Sequence, residues 1–169
     1  MDNKTAQLLN QQINKEFYSA YLYLDFSVYF YGMGLTGFGN WFKIQAQEEQ
    51  AHAMLFLQYL QNNDVDPVLE AIEKPAIATS DTKTVLEETL KHEKLVTSLI
   101  NAIYESAHEA KDYRTMQFLD WFVKEQCEEE MNASELLKRF ELFGSDTRGL
   151  YMLDSELGKR TYSPPSLKL

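Results

Sequence analysis

The chain has 169 residues, with 16 Lys+Arg against 26 Asp+Glu for a formal net charge of -10, and it is 44% apolar and 13% aromatic. Such a length and apolar content suit one domain, residues 1–169, with a substantial core, while only 7 Gly and 4 Pro exclude a turn-rich all-β sandwich or a disordered chain. The single cysteine, Cys127, excludes an internal disulfide framework, and the acidity argues against nucleic acid held through a basic surface and for attraction of cations.

Apolar residues recur at helical spacing over four long stretches, which predict helices at about 4–31, 36–62, 82–110 and 113–143. Gly32-Met33-Gly34 breaks the first from the second, Lys111-Asp112 the third from the fourth, and Gly144 stops the fourth. Such short breaks make antiparallel neighbours. Asn63 to Ser80, with Pro67 and Pro75, has no periodicity and is long for a loop. A helix of about 27 residues is about 40 Å long, and about eighteen extended residues reach roughly 59 Å. The segment can therefore run the bundle's length, which makes the second and third helices parallel. The expected fold is all-α: a four-helix bundle with one long crossover and a short fifth helix at about 147–158. No apolar run approaches membrane-spanning length, and Met1-Asp2-Asn3-Lys4-Thr5 lacks the basic start and apolar stretch of a secretory signal. A cytoplasmic setting with no membrane partner is the expectation.

Each predicted seam carries an acid near its middle. The first runs Leu9, Ile13, Glu16, Ala20, Tyr23, Ser27; the second Phe38, Phe42, Gln45, Glu49, His52, Phe56, Tyr59. The third runs Leu86, Leu90, Glu93, Thr97, Ile100, Tyr104, and the fourth Phe118 or Leu119, Phe122, Gln126, Glu129, Ala133, Leu136. For one helix, a phase error that leaves the glutamate in solvent is the competing explanation; four coincidences at one level argue against it. Buried carboxylates take up protons or find cations, and no Lys or Arg shares these seams at that level. Two divalent ions would balance Glu16, Glu49, Glu93 and Glu129, with His52 as a neutral nitrogen ligand. Oxygen ligands with one imidazole suit iron or manganese, and zinc is also compatible.

These residues, Glu16-Phe-Tyr-Ser-Ala-Tyr-Leu-Tyr23, Gln47-Glu48-Glu49-Gln-Ala-His52, Glu93 and Glu125-Gln126-Cys-Glu128-Glu129-Glu130, resemble those of a prokaryotic non-haem ferritin. The resemblance extends from the first helix to Gly149-Leu150-Tyr151. Ferritin-like carboxylate proteins are the standard instance of a metal site built inside a helix bundle. By that resemblance Glu16, Glu49 and His52 hold one iron, Glu93 and Glu129 a second, and Glu49 bridges them, with Gln126 beside the pair. Glu48, Glu125 and Glu128 match a third iron position, the alternative being a solvated acidic patch. Tyr23 matches a tyrosine near the site that donates an electron or a hydrogen bond, or else fills the core.

The departures carry information. Asn132 stands where a second Glu-x-x-His motif needs histidine, which favours a site that binds iron, oxidises it and releases it over a permanent cofactor. Gln50 replaces the methionine that holds haem in bacterioferritins, so no haem is expected. One cysteine cannot supply a rubrerythrin's Cys-x-x-Cys module. Met116 and Leu119 stand where animal ferritins place carboxylates along the route by which iron arrives. His92 and His108 are expected on polar or interface faces, Cys127 as a packed thiol, and the aromatic run from Tyr21 to Tyr31, with Trp41 and Trp121, as core and subunit contact.

The resemblance implies an iron-storage ferroxidase: Fe(II) is oxidised to Fe(III) by O2 or peroxide and kept as a ferric oxyhydroxide mineral in a homo-oligomeric shell of 24 subunits. The rivals are a soluble di-iron or di-manganese oxidoreductase acting on peroxide or an organic substrate, and a metal-free structural bundle.

Overall fold

The computed structural model describes residues 1–76 and 81–169. The described residues form α1 (Asn3–Gly32), α2 (Thr36–Asn62), α3 (Thr82–Glu109), α4 (Tyr113–Phe143) and the short α5 (Thr147–Leu157). Three of the long helices start on one local motif, Asp-x-x-Thr. Asp2, Asp81 and Asp112 each accept from the backbone N–H of the threonine three residues on, at 3.1, 2.9 and 3.2 Å, and from its hydroxyl at 2.6, 2.7 and 2.8 Å. A cap of this kind contributes about 1 kcal/mol by satisfying N–H groups that have no partner within the helix. The turn between α1 and α2 relies on Gly34, whose φ of +79° suits a residue without Cβ.

Side-chain pairs fix the helix directions. Ser27 donates to the carbonyl of Gly39 at 2.7 Å, so α2 runs back along α1. Thr5 meets Ser106 at 2.9 Å and Ser19 meets His92 at 2.8 Å, so α3 also runs against α1. Tyr59 stacks on Phe118 at 3.9 Å near one end of the bundle, while Gln45 reaches Glu129 further along, so α4 runs against α2. Helices α2 and α3 are therefore parallel, as a full-length crossover requires. The described part of that crossover follows α1: Asn10 exchanges two hydrogen bonds with the backbone of Val68, at 2.8 and 3.0 Å, and Asn14 donates to the carbonyl of Ala71 at 3.1 Å. Further on, Lys74 and Pro75 lie over Asp25 and Val28. Residues 77–80, the end of the expected crossover, lie outside the described residues.

The core is split in two. One cluster, around Phe26, Phe30, Phe38 and Phe42, fills the end where α5 docks; the other, around Leu9, Phe56, Ile100 and Phe118, fills the opposite end. Phe30 stacks between Phe38 and Phe42 at 5.0 and 5.3 Å. Between the clusters lies a layer of buried polar side chains, Glu16, Glu49, His52, Glu93, Gln126 and Glu129.

Helix α5 packs on the start of α2, where Asp154 accepts from the backbone N–H of Phe38 at 2.9 Å and a Cβ on Gly37 would collide with the Asp154 carbonyl. After α5 the chain turns along α2. The carbonyl of Arg160 accepts from Asn40 at 3.0 Å, Tyr162, Pro164 and Pro165 line a cleft against Gln47, Gln50 and Met54, and Ser166 accepts from the Trp121 indole at 3.0 Å.

Two expectations are corrected by the helix phases. Cys127 is exposed, not packed, because Gln126 and Glu129 take the inward face of α4 and the residue between them turns outward. On α3 the fully buried stripe is Val85, Leu86, Thr89, Glu93, Val96, Ile100 and Ile103, while Leu90, Thr97 and Tyr104 are only half-buried. The aromatic run divides: Tyr23, Phe26 and Phe30 are core, whereas Tyr21, Val28 and Tyr31 are exposed on the single chain.

Candidate metal centre

Each long helix delivers one carboxylate to the polar layer. Glu16, Glu49, Glu93 and Glu129 are 1, 1, 2 and 4% exposed, so none is solvated. His52, one turn after Glu49 on α2, is equally buried and points Nδ1 at the Glu49 carboxylate 3.5 Å away. Its ring is held edge-on by Trp121 and Phe122 at 5.5 and 5.9 Å.

The hydrogen bonds inside the layer come from neutral donors. Gln12 donates to Glu16 Oε1 at 2.7 Å, Gln45 to Glu129 Oε2 at 2.5 Å, and Gln126 to Glu93 Oε2 at 3.2 Å, while the Tyr23 hydroxyl donates to Glu93 Oε1. These donors orient the carboxylates and leave their charge uncompensated. Burial is the largest influence on all four and pushes each carboxyl up, Glu16 and Glu49 far above the usual carboxylate range and Glu129 to about 8. Repulsion between the acids adds to this: Glu49 raises Glu16, and Glu93 raises Glu49 and Glu129. The Tyr23 hydroxyl is likewise pushed up, by burial and then by Glu93, and so serves as a donor.

One atom shows what the layer lacks. Glu16 Oε2 is buried without a hydrogen-bond partner, and its neighbour is a second acid, Glu49, with which it can share a proton but which offers no donor when ionised. Glu16, Glu49 and His52 bring one ligand atom each to within 4.8 Å of one another, a spacing that a single metal ion can span. An ion there would satisfy Glu16 Oε2, use the Nδ1 of His52 and offset the repulsion among the carboxylates. The donor set fits iron: hard oxygen ligands and one imidazole.

Glu93 and Glu129 complete the layer opposite this group, with Gln126 fixed on Glu93. Glu48 and Glu125 are half-buried and Glu128 is exposed. Burial raises both Glu48 and Glu125; Glu128 raises Glu125 further, and His52 lowers both. Glu48 forms an ion pair with Arg160 from the tail. His92 is half-buried, bonded to Ser19, and held by burial at about 4, hence neutral; His108 is exposed on the α3 surface.

Sequence reasoning gave no role to four residues in or beside this layer. Gln12 and Gln45 stand one turn before Glu16 and Glu49, and a polar residue at such a position in an apolar seam is a usable signal. Thr97 donates to Glu130 at 2.6 Å in the gap between α3 and α4. Arg160 gave no local signal at all.

An all-α bundle whose helices each place a buried carboxylate in one layer, with a Glu-x-x-His turn on α2, is the architecture in which carboxylate bundle proteins build their metal sites. The comparisons narrow this. Residues 6–143 match the ferritin-like domain. The chain is 39% identical over 158 residues to a "probable bacterial non-heme ferritin-like protein" of Haemophilus influenzae, covering 94% of this chain and 96% of that one. It is 36% identical to a bacterial non-heme ferritin of Campylobacter jejuni over 91% of this chain and 92% of the relative. The open-pore ferritin of Archaeoglobus fulgidus superposes with a TM-score of 0.93 at 40% identity, covering 95% of this chain and 98% of that one. The chain belongs to the ferritin family, among its non-haem members.

Proposed function

We propose that the polar layer is a ferroxidase centre at which Glu16, Glu49 and His52 take one Fe(II), Glu93 and Glu129 take a second, and Glu49 lies between them. Iron storage with oxidation of Fe(II) is the function that membership of this family carries. The observation that supports the site assignment best is Glu16 Oε2, buried and partnerless beside Glu49 and His52.

Each Fe(II) gives one electron. O2 takes two electrons with two protons and leaves as hydrogen peroxide, or peroxide takes two electrons and two protons and leaves as two waters. Two adjacent ions supply this pair of electrons together. Burial and mutual repulsion raise the carboxyls of Glu16, Glu49 and Glu129 and favour their holding protons, so a cation that binds them competes with protons. Gln12, Gln45 and Gln126 keep the acids oriented while these protons leave. Tyr23 keeps a donor on Glu93. Fe(III) then moves outward toward Glu48, Glu125 and Glu128, a third position, and on to the mineral.

The proposal places the chain in a cytoplasmic shell of 24 copies, without haem. Among the described residues no helix is long and apolar enough to cross a membrane. The exposed apolar stripe of α1, Tyr21, Leu24, Val28 and Tyr31, together with Val68, Leu69 and Ile72 of the crossover, supports subunit contact there. An oxidoreductase acting on an organic substrate would need a pocket beside the metals; the cleft of about 470 Å³ between α2 and the tail contains none of the layer's residues.

The test is the initial rate of Fe(II) oxidation: Glu49→Ala abolishes the fast phase and His52→Ala slows it, with the helical shell intact. An unchanged rate in Glu49→Ala refutes the assignment.

A further inference from the structure

We propose that Arg160 is a positioning residue of this centre, an internal counter-ion that holds Glu48 against incoming cations and, through the amide of Gln45, sets the orientation of Glu129. This rests on the ferroxidase reading above and adds to it a residue from the C-terminal tail.

The guanidinium makes three directed contacts. Nη2 pairs with Glu48 Oε2; Nη1 donates to Gln45 Oε1 at 2.8 Å, and at 3.4 Å to the carbonyl of Trp41. Its Cζ lies over the Trp41 ring, 4.7 Å from the centroid. Arginine can only donate hydrogen bonds, so the oxygen of the Gln45 amide must face it and the nitrogen must face away. Gln45 Nε2 accordingly points at Glu129 Oε2, 2.5 Å off. With Arg160 absent only Glu129 selects between the two ends of the amide, which is then held on one side instead of two. A flipped amide would set oxygen against carboxylate, a repulsive contact in a buried layer.

The backbone that carries Arg160 is fastened at its own carbonyl by Asn40 and further along by Ser166 on Trp121, with Leu167 packed against the far core cluster. Pro164 and Pro165 stiffen the span between these anchors. The side chain can thus leave Glu48 while the strap stays in place. The Arg160 and Glu48 side chains are 22% and 18% exposed, so the pair is only partly screened by water. A cation that takes Glu48 displaces Nη2 at Oε2 or meets the guanidinium charge beside it at Oε1, whereas one that binds Glu16, Glu49 and His52 displaces only protons. Arg160 therefore sets the order of filling: the pair first, the third position after it.

The test is calorimetric titration of the metal-stripped, assembled protein with Zn(II), which binds such ligands without redox chemistry. Wild type should show strong steps and a weaker one. Arg160→Gln removes the charge but retains a donor for Gln45; it should tighten the weak step about tenfold, the scale of one charge-assisted hydrogen bond, and leave the strong steps close to wild type. Arg160→Ala should tighten the weak step and also loosen a strong one, because Gln45 is then held by Glu129 alone. Glu48→Gln should remove the weak step whether position 160 is Arg or Gln. A weak step unmoved by both Arg160 variants but lost in Glu48→Gln overturns the role of Arg160 and leaves the third position standing. A weak step that survives Glu48→Gln overturns both. Gel filtration of Arg160→Gln checks that the assembly is intact.

Discussion

Replacing Glu49 by Gln separates what the metal-free fold needs from what the centre needs. The change keeps shape and volume and removes one ionisable group from a layer in which Glu16, Glu93 and Glu129 are its neighbours and none is solvated. Two carboxylates about 5 Å apart repel by roughly 3 kcal/mol at an effective dielectric constant of about 20, an upper bound because protonation relieves part of it. Against that stands the loss of the His52 Nδ1 contact at 3.5 Å, worth about 1 kcal/mol at most. The balance leaves the metal-free variant more stable by about 1 to 2 kcal/mol. For a chain of this size that is roughly 3 to 6 °C in melting temperature. Metal should reverse the ranking: Zn(II) raises the melting temperature of wild type by mass action on the folded state, while the variant gains little. Differential scanning calorimetry of the stripped protein at pH 7.5, with and without Zn(II), reads both effects. A variant that melts several degrees below wild type in the absence of metal would refute the reasoning, since Glu49 would then be a structural partner and not a ligand held ready.

Two further outcomes follow from the same electrostatics. Because the folded state holds Glu129 at about 8 against an ordinary value near 4.5, it binds more protons than the unfolded chain between those values; the layer's contribution to metal-free stability is full below that window and is lost as pH rises through it. Glu129→Gln should flatten that fall in a pH series of melting curves, and Zn(II) titrations at pH 6.5 in buffers of different ionisation enthalpy should show proton release; a slope equal to wild type, or binding without proton release, contradicts the account. If Glu125 and Glu128 belong to a third iron position, their joint replacement by Ala retains the first oxidation step but changes the iron oxidised per O2 and the recovery before a second addition; identical stoichiometry and recovery would return them to a solvated patch.

The helices were legible because the apolar period persists for 27 to 31 residues in each of α1 to α4, long enough to average out local exceptions. Periodicity left their starts approximate, although the Asp-x-x-Thr caps that begin α1, α3 and α4 were there to be read. The four glutamates were legible for the same reason: a charge in mid-seam has few bland explanations. On α3 the seam drifted by one position, because Thr89, Val96 and Ile103 sit beside Leu90, Thr97 and Tyr104 and a step of three or four satisfies the period equally well. Cys127 was misplaced because free cysteines are commonly buried, whereas its phase on α4, next to the inward Gln126, turns it outward. Arg160 was out of reach. Its partners Trp41, Gln45 and Glu48 lie 112 to 119 residues away along the chain, and only the docking of α5 on α2 brings the tail to them.

The most direct test of the central claim is aerobic addition of Fe(II) to the purified protein far beyond the stoichiometry of the centre, followed by gel filtration with iron and protein measured in each fraction. An iron-storing ferroxidase keeps the excess Fe(III) soluble and co-eluting with a large, compact particle. Precipitation of all iron beyond a few ions per chain, with the protein eluting as a small species, would contradict it.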